Sequence, residues 1–509
     1  MTGKGLARGL GFATAAAMAL TQSSVGFVRD EGYYFTAAQG YEAWLRLLLH
    51  APLQAIAETE RYWSYNFEHP GLTKLLFAAS HLVFTTWLGI LPDALAWRLP
   101  AFAFAGLLSY WLCLLGLSRS RACGVLAPLL FWCAERTFFH GHLACFDIPI
   151  CAMWAGVGVA WLRRSGPRLA LTYGVALAVK HNAWFLPPVL LVHALLLPRE
   201  QRAFALRRLP WLLLSPLVLF AAWPLLWHHP LRHLGAWISF HTRHVHYAWW
   251  YFGQVLRAPP FPIEYPVVVD ALALPLPLVI LLGAAGISLL LHFARLRPDP
   301  QRLLELGLAG AALLPFLLRT TPIFGGIKHW LAFVALLTPE AASLLVRAAP
   351  SARALVVAAV LTLLPGLWQI AHVHPYGTSA YGELAGDIPG AATLGMQRQY
   401  WSNDVTGVLP WLNAHCPQGA RVYFHEVNVE SYQTYVRMGM LRADIHYAPG
   451  PEQADYAALQ WHREFRDREP QTWNAFGTRR PATGLYLDEV PQIVVYARPG
   501  LPGAPEGGR

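Results

Sequence analysis

The sequence predicts a mainly helical, polytopic membrane protein: a bundle of transmembrane helices that carries a small α/β domain outside the bilayer. Three observations predict it. Of 509 residues, 55% are hydrophobic and 13% charged, whereas a soluble domain carries about 25% charged residues. Apolar runs long enough to span a bilayer recur through the first 372 residues. From residue 373 the runs shorten, and Asp, Glu, Asn and Gly become common.

Taken in order, Lys4 and Arg8 precede an Ala-rich stretch. A signal peptide and an uncleaved first span, 6–28, both fit. No small-residue cleavage site follows, which favours the span, with residue 29 onward outside. Further candidate spans are 71–92, 99–117, 122–139, 147–164, 208–227, 267–293, 303–319, 328–347 and 352–372. The run 168–197 is broken by Lys180-His181-Asn182 and by Pro187-Pro188, so it reads as one kinked span or two short ones. The total is about eleven.

Between the spans lie two long outer loops, 29–70 and 228–266. Within the first, 36–57 is apolar on one side with Arg46 and His50 on the other, the pattern of a helix lying in the interface. If 71–92 and 99–117 both cross, Arg119 and Arg121 fall outside, against the positive-inside rule. If only one crosses fully, those arginines are inside, and 122–139 returns to carry His140 to Asp147 to the side of Asp30. The second outcome is favoured. In the last segment, 373–509, Arg421–Val427 and Gln492–Ala497 read as strands with helical patterns between them. Its Gly- and Pro-rich end reads as disordered.

Net charge is +10. The arginines sit in short clusters between apolar runs, as cytoplasmic loops do, rather than on one basic face of a soluble domain. Nucleic acid is therefore not an expected partner, and the bilayer is. The six cysteines show no CxxC or zinc spacing.

Five places concentrate polar chemistry. Arg29-Asp30-Glu31 follows the first span directly. Adjacent carboxylates at a membrane boundary are costly unless solvated or used, and their repulsion raises one pKa toward that of a base. A solvated loop start is the plain alternative. Glu68-His69-Pro70 and Lys74 mark the mouth of the second span, where a helix N-terminus attracts anions; a capped helix with a snorkelling Lys74 is the alternative. Glu135, Arg136, His140, His142 and Asp147 crowd between apolar runs and read as an active-site wall, a hydrogen-bonded structural loop, or ligands of a divalent metal. Only four lysines stand among the 39 basic residues, and two of them, Lys180 and Lys328, precede a His at a break or edge of an apolar run. Anion binding and snorkelling both fit. The loop 228–266 adds six histidines and the aromatics Tyr247, Trp249, Trp250 and Tyr251, as surfaces for lipid or sugar or as an interfacial belt.

The order of these motifs resembles the GT-C glycosyltransferases: Asp30-Glu31 after the first span, His69-Pro70 at the second, Arg98-Leu99-Pro100 opening the third, and Asp147 after the Arg136 loop. More narrowly it resembles glycosyltransferase family 39 and its bacterial relatives, among them protein O-mannosyltransferases and the lipid A aminoarabinose transferase. The stretch from His374-Pro375-Tyr376-Gly377 through Tyr381-Gly382-Glu383 to Gly390-Ala391-Ala392 looks like bacterial members with an outer C-terminal domain. The chain departs from the pattern at Gly71, where many relatives have a second Pro, and at His69, where some have Lys.

The resemblance implies a GT-C bundle over 1–372, with an extracytoplasmic domain over 373–509. It implies a bacterial inner-membrane location with a periplasmic site. The activity implied is transfer of a sugar from a polyprenyl-phosphate carrier to a hydroxyl of a lipid, protein or glycan. Asp30, Glu31 and Asp147 take the catalytic positions. Arg29, Glu68, His69, Lys74, Arg136, Lys180 and Lys328 are candidates beside the donor phosphate; His140, His142, Tyr247 and Tyr251 are candidates beside acceptor or lipid. The chemistry expected is an inverting displacement with Asp30 as base. The phosphate already leaves as a stable anion, so no cofactor is required; a divalent metal could assist. A transporter or flippase of lipid-linked sugars is the chief alternative. Such proteins show paired halves with broken helices, and no pairing is evident here. A non-catalytic assembly factor is the third reading.

Overall fold

The computed structural model describes residues 3–294 and 299–505. Small residues set its first contact. Helix α1 (Gly3–Thr21) crosses α4 (Asp93–Leu117) where Gly11 meets Gly106. A Cβ on Gly11 would lie 2.7 Å from the Gly106 carbonyl oxygen, and one on Gly106 would lie 2.5 Å from that of Gly11. Glycine therefore lets the two backbones touch, as small residues do between helices in lipid.

Between them the chain stays at one end of the bundle. Helix α2 (Arg29–His50) buries Phe35, Ala38, Tyr41 and Trp44. It starts at Arg29 rather than at 36, and it ends where Ala51 and Pro52 break it. The run 71–92 gives only α3 (Leu72–His81) and a short π-helical continuation to Trp87. His81, at the end of α3, stacks on Trp97 and lies 3.4 Å from Asp93, both in the first turns of α4. Over 71–117, α4 is thus the one described helix long and apolar enough to cross a membrane. Arg119 lies beyond the far end of α4, about 30 Å along the helix from Arg98. Helix α5 (Arg121–Trp132) returns and bends by 82° into α6 (Glu135–His142). The bend delivers the Ala144 N–H to the carboxylate of Glu31, at 2.9 Å.

The rest of the bundle is α7 (Asp147–Leu162), α8 (Gly166–Val179), α9 (Leu186–Leu196), a helical stretch Arg199–Ala222, α10 (Pro230–Thr242), α11 (Leu276–Phe293), α12 (Pro300–Leu313), α13 (Leu331–Ala348) and α14 (Ala352–Val373). Among the described residues, five helices are long and apolar enough to cross a membrane: α4, Arg199–Ala222, α11, α13 and α14. The bent α5–α6 pair makes a sixth if counted as one span. Of the other expected spans, 6–28 folds as the 19-residue α1 and the rest as shorter helices. The run 168–197, for instance, divides into α8 and α9 because Lys180 takes an extended conformation, φ −157° and ψ 149°.

At the end of the bundle away from Asp30, Glu340 on α13 is fully buried. It accepts from Arg119 at 3.2 Å, Arg302 at 2.9 Å, Arg347 at 3.1 Å and Ser288 at 2.8 Å. One carboxylate so ties α11, α12 and α13 to the α4–α5 turn.

Within 228–266, α10 is followed by a two-stranded hairpin, β1 (Trp249–Tyr251) and β2 (Gln254–Leu256). After α14 comes a five-stranded mixed sheet: β3 (Arg421–Phe424), β4 (His446–Ala448), β5 (Tyr456–Gln460), β6 (Thr483–Leu487) and β7 (Val490–Ala497). Its order is β4-β3-β5-β7-β6, parallel across the first three strands and antiparallel after. Helices α15 (Val429–Arg437) and α16 (Arg468–Phe476) flank it. One hydrophobic core runs unbroken from bundle residues such as Trp97 to sheet residues such as Val422 and Ile493. The chain end expected to be disordered instead packs as far as it is described. Tyr456 Oη donates to Pro502 O at 3.0 Å, and Leu501 and Ala504 cover the core. Residues 506–509 of that expectation lie outside the described residues.

Candidate active site

Where the apolar runs break, their polar residues meet. One cavity of about 1290 Å³ is lined by Arg29, Asp30, Glu68, His69, Asp147, Lys180, Tyr247 and Lys328, all sequence candidates from six separate segments. Each arrives for a local reason. Asp30 sits in the first turn of α2 and Asp147 opens α7, positions where helix dipoles favour a carboxylate. The break between α8 and α9 frees Lys180 to reach Asp147, with Nζ 2.6 Å from Oδ1. Lys328 follows Gly325 and Gly326, both with positive φ (80° and 56°). At φ 80° Gly325 holds left-handed backbone, which favours glycine at this turn.

Lys328 Nζ lies 3.6 Å from Asp30 Oδ2 and 4.0 Å from the centre of the Trp401 ring. The cavity thus holds two ammonium–carboxylate pairs, Asp30 with Lys328 and Asp147 with Lys180. The Asp30 carboxylate is 26% exposed and so keeps access to solvent. His69 packs on Phe146 at 5.0 Å and on His241 at 5.5 Å. Burial, then the neighbouring His241 and Lys74, hold it well below the usual imidazole range and therefore neutral. A neutral ring is a hydrogen-bonding group rather than a counter-charge for phosphate. Glu68 accepts from the Asn66 side-chain amide, and its backbone oxygen accepts from His241 Nε2 at 2.8 Å.

The remaining candidates are placed elsewhere. Glu31, expected beside Asp30, faces the other way. It is fully buried and accepts from Arg98 Nε and Nη2, both at 2.8 Å, and from the N–H groups of Val28 and Ala144. Its four acceptor positions are filled by protein, and it does not line the cavity. Lys74 is also buried, with Nζ turned onto Asn66 and His69 O. Arg136 donates to Ala380 O at 2.9 Å and lies over the Tyr381 ring, so its charge serves the packing of the segment after α14. His140 pairs with Tyr400 Oη and His142 with Thr21. Tyr251 is buried in the hairpin against Tyr265. None of these five lines the cavity.

The Lys-His pairs and the His-rich loop also bring His181, His329 and His241 to the lining, whereas Tyr400, Trp401, Glu426, His462 and Glu464 were not anticipated. Arg29, read as a phosphate ligand, ion-pairs with Glu426. For Glu426 the one sequence signal is its place near the end of the predicted strand Arg421–Val427; the observed strand β3 stops at Phe424, just before it. Carboxyl ends of parallel strands are where open α/β sheets carry their sites. Among the described residues, no three His, Cys, Asp or Glu side chains converge to hold a metal ion.

The opposite end of the cavity is apolar. It runs between α9 (Val192, Leu196), α11 (Leu290, Phe293) and α12 (Leu306, Gly310) down to Leu303, close to Glu305, which pairs with Arg119 at the far end of the bundle. The space is thus charged at one end of the bundle and hydrocarbon along most of its length.

No family model matches the chain, and no curated protein matches it in sequence. Two solved structures of ArnT from Cupriavidus metallidurans are similar to it throughout. The apo structure has a TM-score of 0.53 and 14% identity, over 96% of each chain. The structure bound to undecaprenyl phosphate has a TM-score of 0.52 and 13% identity, over 98% of this chain and 99% of that one. The likeness is to the fold and not to family 39 in particular. The chain therefore has the GT-C fold of ArnT, a membrane helical bundle with a small C-terminal α/β domain.

Proposed function

We propose that the chain is a membrane glycosyltransferase that moves a sugar from a polyprenyl-phosphate carrier to an acceptor hydroxyl at the cavity's charged end. One observation carries the reading: a long apolar slot opens into a chamber holding both carboxylates and both lysines. An amphipathic carrier has that same division of chemistry. ArnT, which shares the fold, has been solved with undecaprenyl phosphate bound, and a lipid-linked donor is the corresponding ligand for this chain.

The reaction is a single displacement. Asp30 accepts the proton of the acceptor hydroxyl as that oxygen bonds to the anomeric carbon. The bond from that carbon to the phosphate oxygen breaks, and the carrier phosphate departs as an anion with inversion. Lys180 and Lys328, both largely buried, stabilise the growing negative charge on the phosphate. Asp147 holds Lys180 in position, and Glu68 orients the loop beneath the donor. The acceptor arrives from the aqueous side of a bacterial inner membrane, next to the C-terminal domain.

The test is transfer of labelled sugar from a polyprenyl-phosphate donor by purified protein. Asp30→Asn should lower turnover by roughly 10²- to 10⁴-fold, the usual worth of a general base. Full activity in that variant would remove Asp30 from the role.

A further inference from the structure

A second cavity, of about 330 Å³, adjoins the first. It lies outside the carboxyl ends of β3, β4 and β5, the three parallel strands of the sheet. Open α/β sheets bind ligands at this edge. Tyr33, Tyr423, Tyr447 and Phe465 line it, with His425 and Arg468. Arg29, Tyr33, Glu426 and Phe465 line both cavities, so the two meet at the Arg29–Glu426 ion pair, one residue from Asp30.

This junction is built rather than incidental. Glu426, Trp401 and Ser402 all hold left-handed backbone, at φ 62°, 72° and 61°. Such conformations cost of order 1–3 kcal/mol each in side-chain-bearing residues and persist where surrounding contacts impose them. Here the Arg29 N–H donates to Trp401 O at 3.0 Å, Ser402 Oγ donates to Glu426 O at 2.9 Å, and Arg29 Nη2 donates to the same Glu426 oxygen at 2.9 Å. The contacts aim the Glu426 carboxylate between the two cavities. Beside it, His425, which lines the groove, is 4% exposed with Nδ1 unpartnered. Buried polar atoms without partners are rare and call for an external one.

Flat aromatic walls, a carboxylate, an imidazole and an arginine in one small groove match the two surfaces of a sugar: apolar C–H faces and paired hydroxyls. We propose that this groove is a saccharide subsite that presents the acceptor's hydroxyl to Asp30 across the Arg29–Glu426 pair. The proposal rests on the transferase reading and names its acceptor class.

The test is direct binding, so it is read whether or not transfer is detected. Saturation-transfer NMR on the purified full chain in detergent would use three probes: chitobiose, maltose and an uncharged Ser/Thr hexapeptide. At least one disaccharide should show ring-proton signals, with Tyr423→Ala and Arg468→Ala each weakening binding about tenfold. Tyr423→Phe, which keeps the ring, should bind like the wild type. Arg468 is exposed, so its truncation tests the groove without threatening the fold. Absence of any disaccharide signal, binding of the peptide alone, or disaccharide binding unchanged in both alanine variants would overturn the proposal. Failure of the transferase reading would appear separately, as absent donor turnover.

Discussion

Asp30 and Glu31 are adjacent carboxylates with opposite surroundings, and the helix explains the difference. One step along a helix turns a side chain by about 100°, so Asp30 faces the cavity and Glu31 faces α4. There Arg98 donates to both Glu31 oxygens and also to Val25 O and Gly26 O, at 2.9 and 2.8 Å. Glu31 is thus a positioning residue that fixes the Asp30 turn against the linker leading to Asp147. Removing one member of such a pair strands the other charge in the interior, which costs about 3–5 kcal/mol. Glu31→Gln and Arg98→Met should therefore lower the thermal midpoint strongly in nano-scanning fluorimetry. Asp30→Asn should leave the midpoint nearly unchanged while lowering turnover by roughly 10²- to 10⁴-fold. Equal midpoints for Glu31→Gln and Asp30→Asn would refute this division.

Glu464 gives a pH prediction at the same scale. Burial pushes its carboxyl up to about 7. A folded-state pKa above the unfolded one means a contribution to stability that is complete below about 4.5 and is lost as pH rises through 7. His425 and His462, each held by burial down to about 4, act in the opposite sense: their contribution is present above 6.5 and is lost as pH falls through 4. The difference between wild type and Glu464→Gln isolates the carboxyl. The variant should gain thermal stability relative to wild type at pH 8 and not at pH 5. A gap independent of pH would contradict the assignment.

At the scale of elements, the α1–α4 crossing depends on two glycines with no room for a Cβ. Gly106→Ala should cost about 1–3 kcal/mol by forcing the helices apart. Gly283→Ala on α11, where nothing lies within 4 Å of the added Cβ, should be neutral or slightly stabilising through helix propensity. Thermal unfolding of the two variants side by side checks both, and equal effects would remove the packing argument. Elements are also where the sequence was most legible. Hydrophobic runs are local signals, so nearly every expected span appears as helix, and the polar break at Lys180 marks the α8–α9 boundary. The strand starting at Arg421 and the one ending at Ala497 were legible for the same reason. Helix lengths were less so. Whether a run such as 71–92 crosses depends on what its far end packs against, here His81 on Trp97, and no local pattern records that.

At the scale of the whole molecule, the cavity's candidates divide along the same line. Asp30, Glu68, His69, Asp147, Lys180 and Lys328 were readable because a charge beside an apolar run is conspicuous by itself. Trp401 and Glu426 were not, because their role comes from meeting Arg29 across hundreds of residues. Arg136 and Lys74 looked identical to Lys180 in sequence. Only packing distinguishes a cation bonded to backbone oxygens from one paired across an open chamber. The fold brings segments 29–70 and 228–266, the α5–α6 bend and the sheet to one end of the bundle, and it leaves the hydrocarbon slot beneath them.

The account stands on that junction between slot and chamber, and the most direct measurement is the affinity of the purified chain for undecaprenyl phosphate. Wild type should bind it. Lys180→Gln and Lys328→Gln should each weaken binding by about tenfold or more, as loss of a charge-assisted hydrogen bond of ~1.5–3 kcal/mol requires. Asp30→Asn should bind at least as well as wild type, since it removes a negative charge from beside the phosphate. No measurable binding, or affinity indifferent to both lysines, would contradict the account.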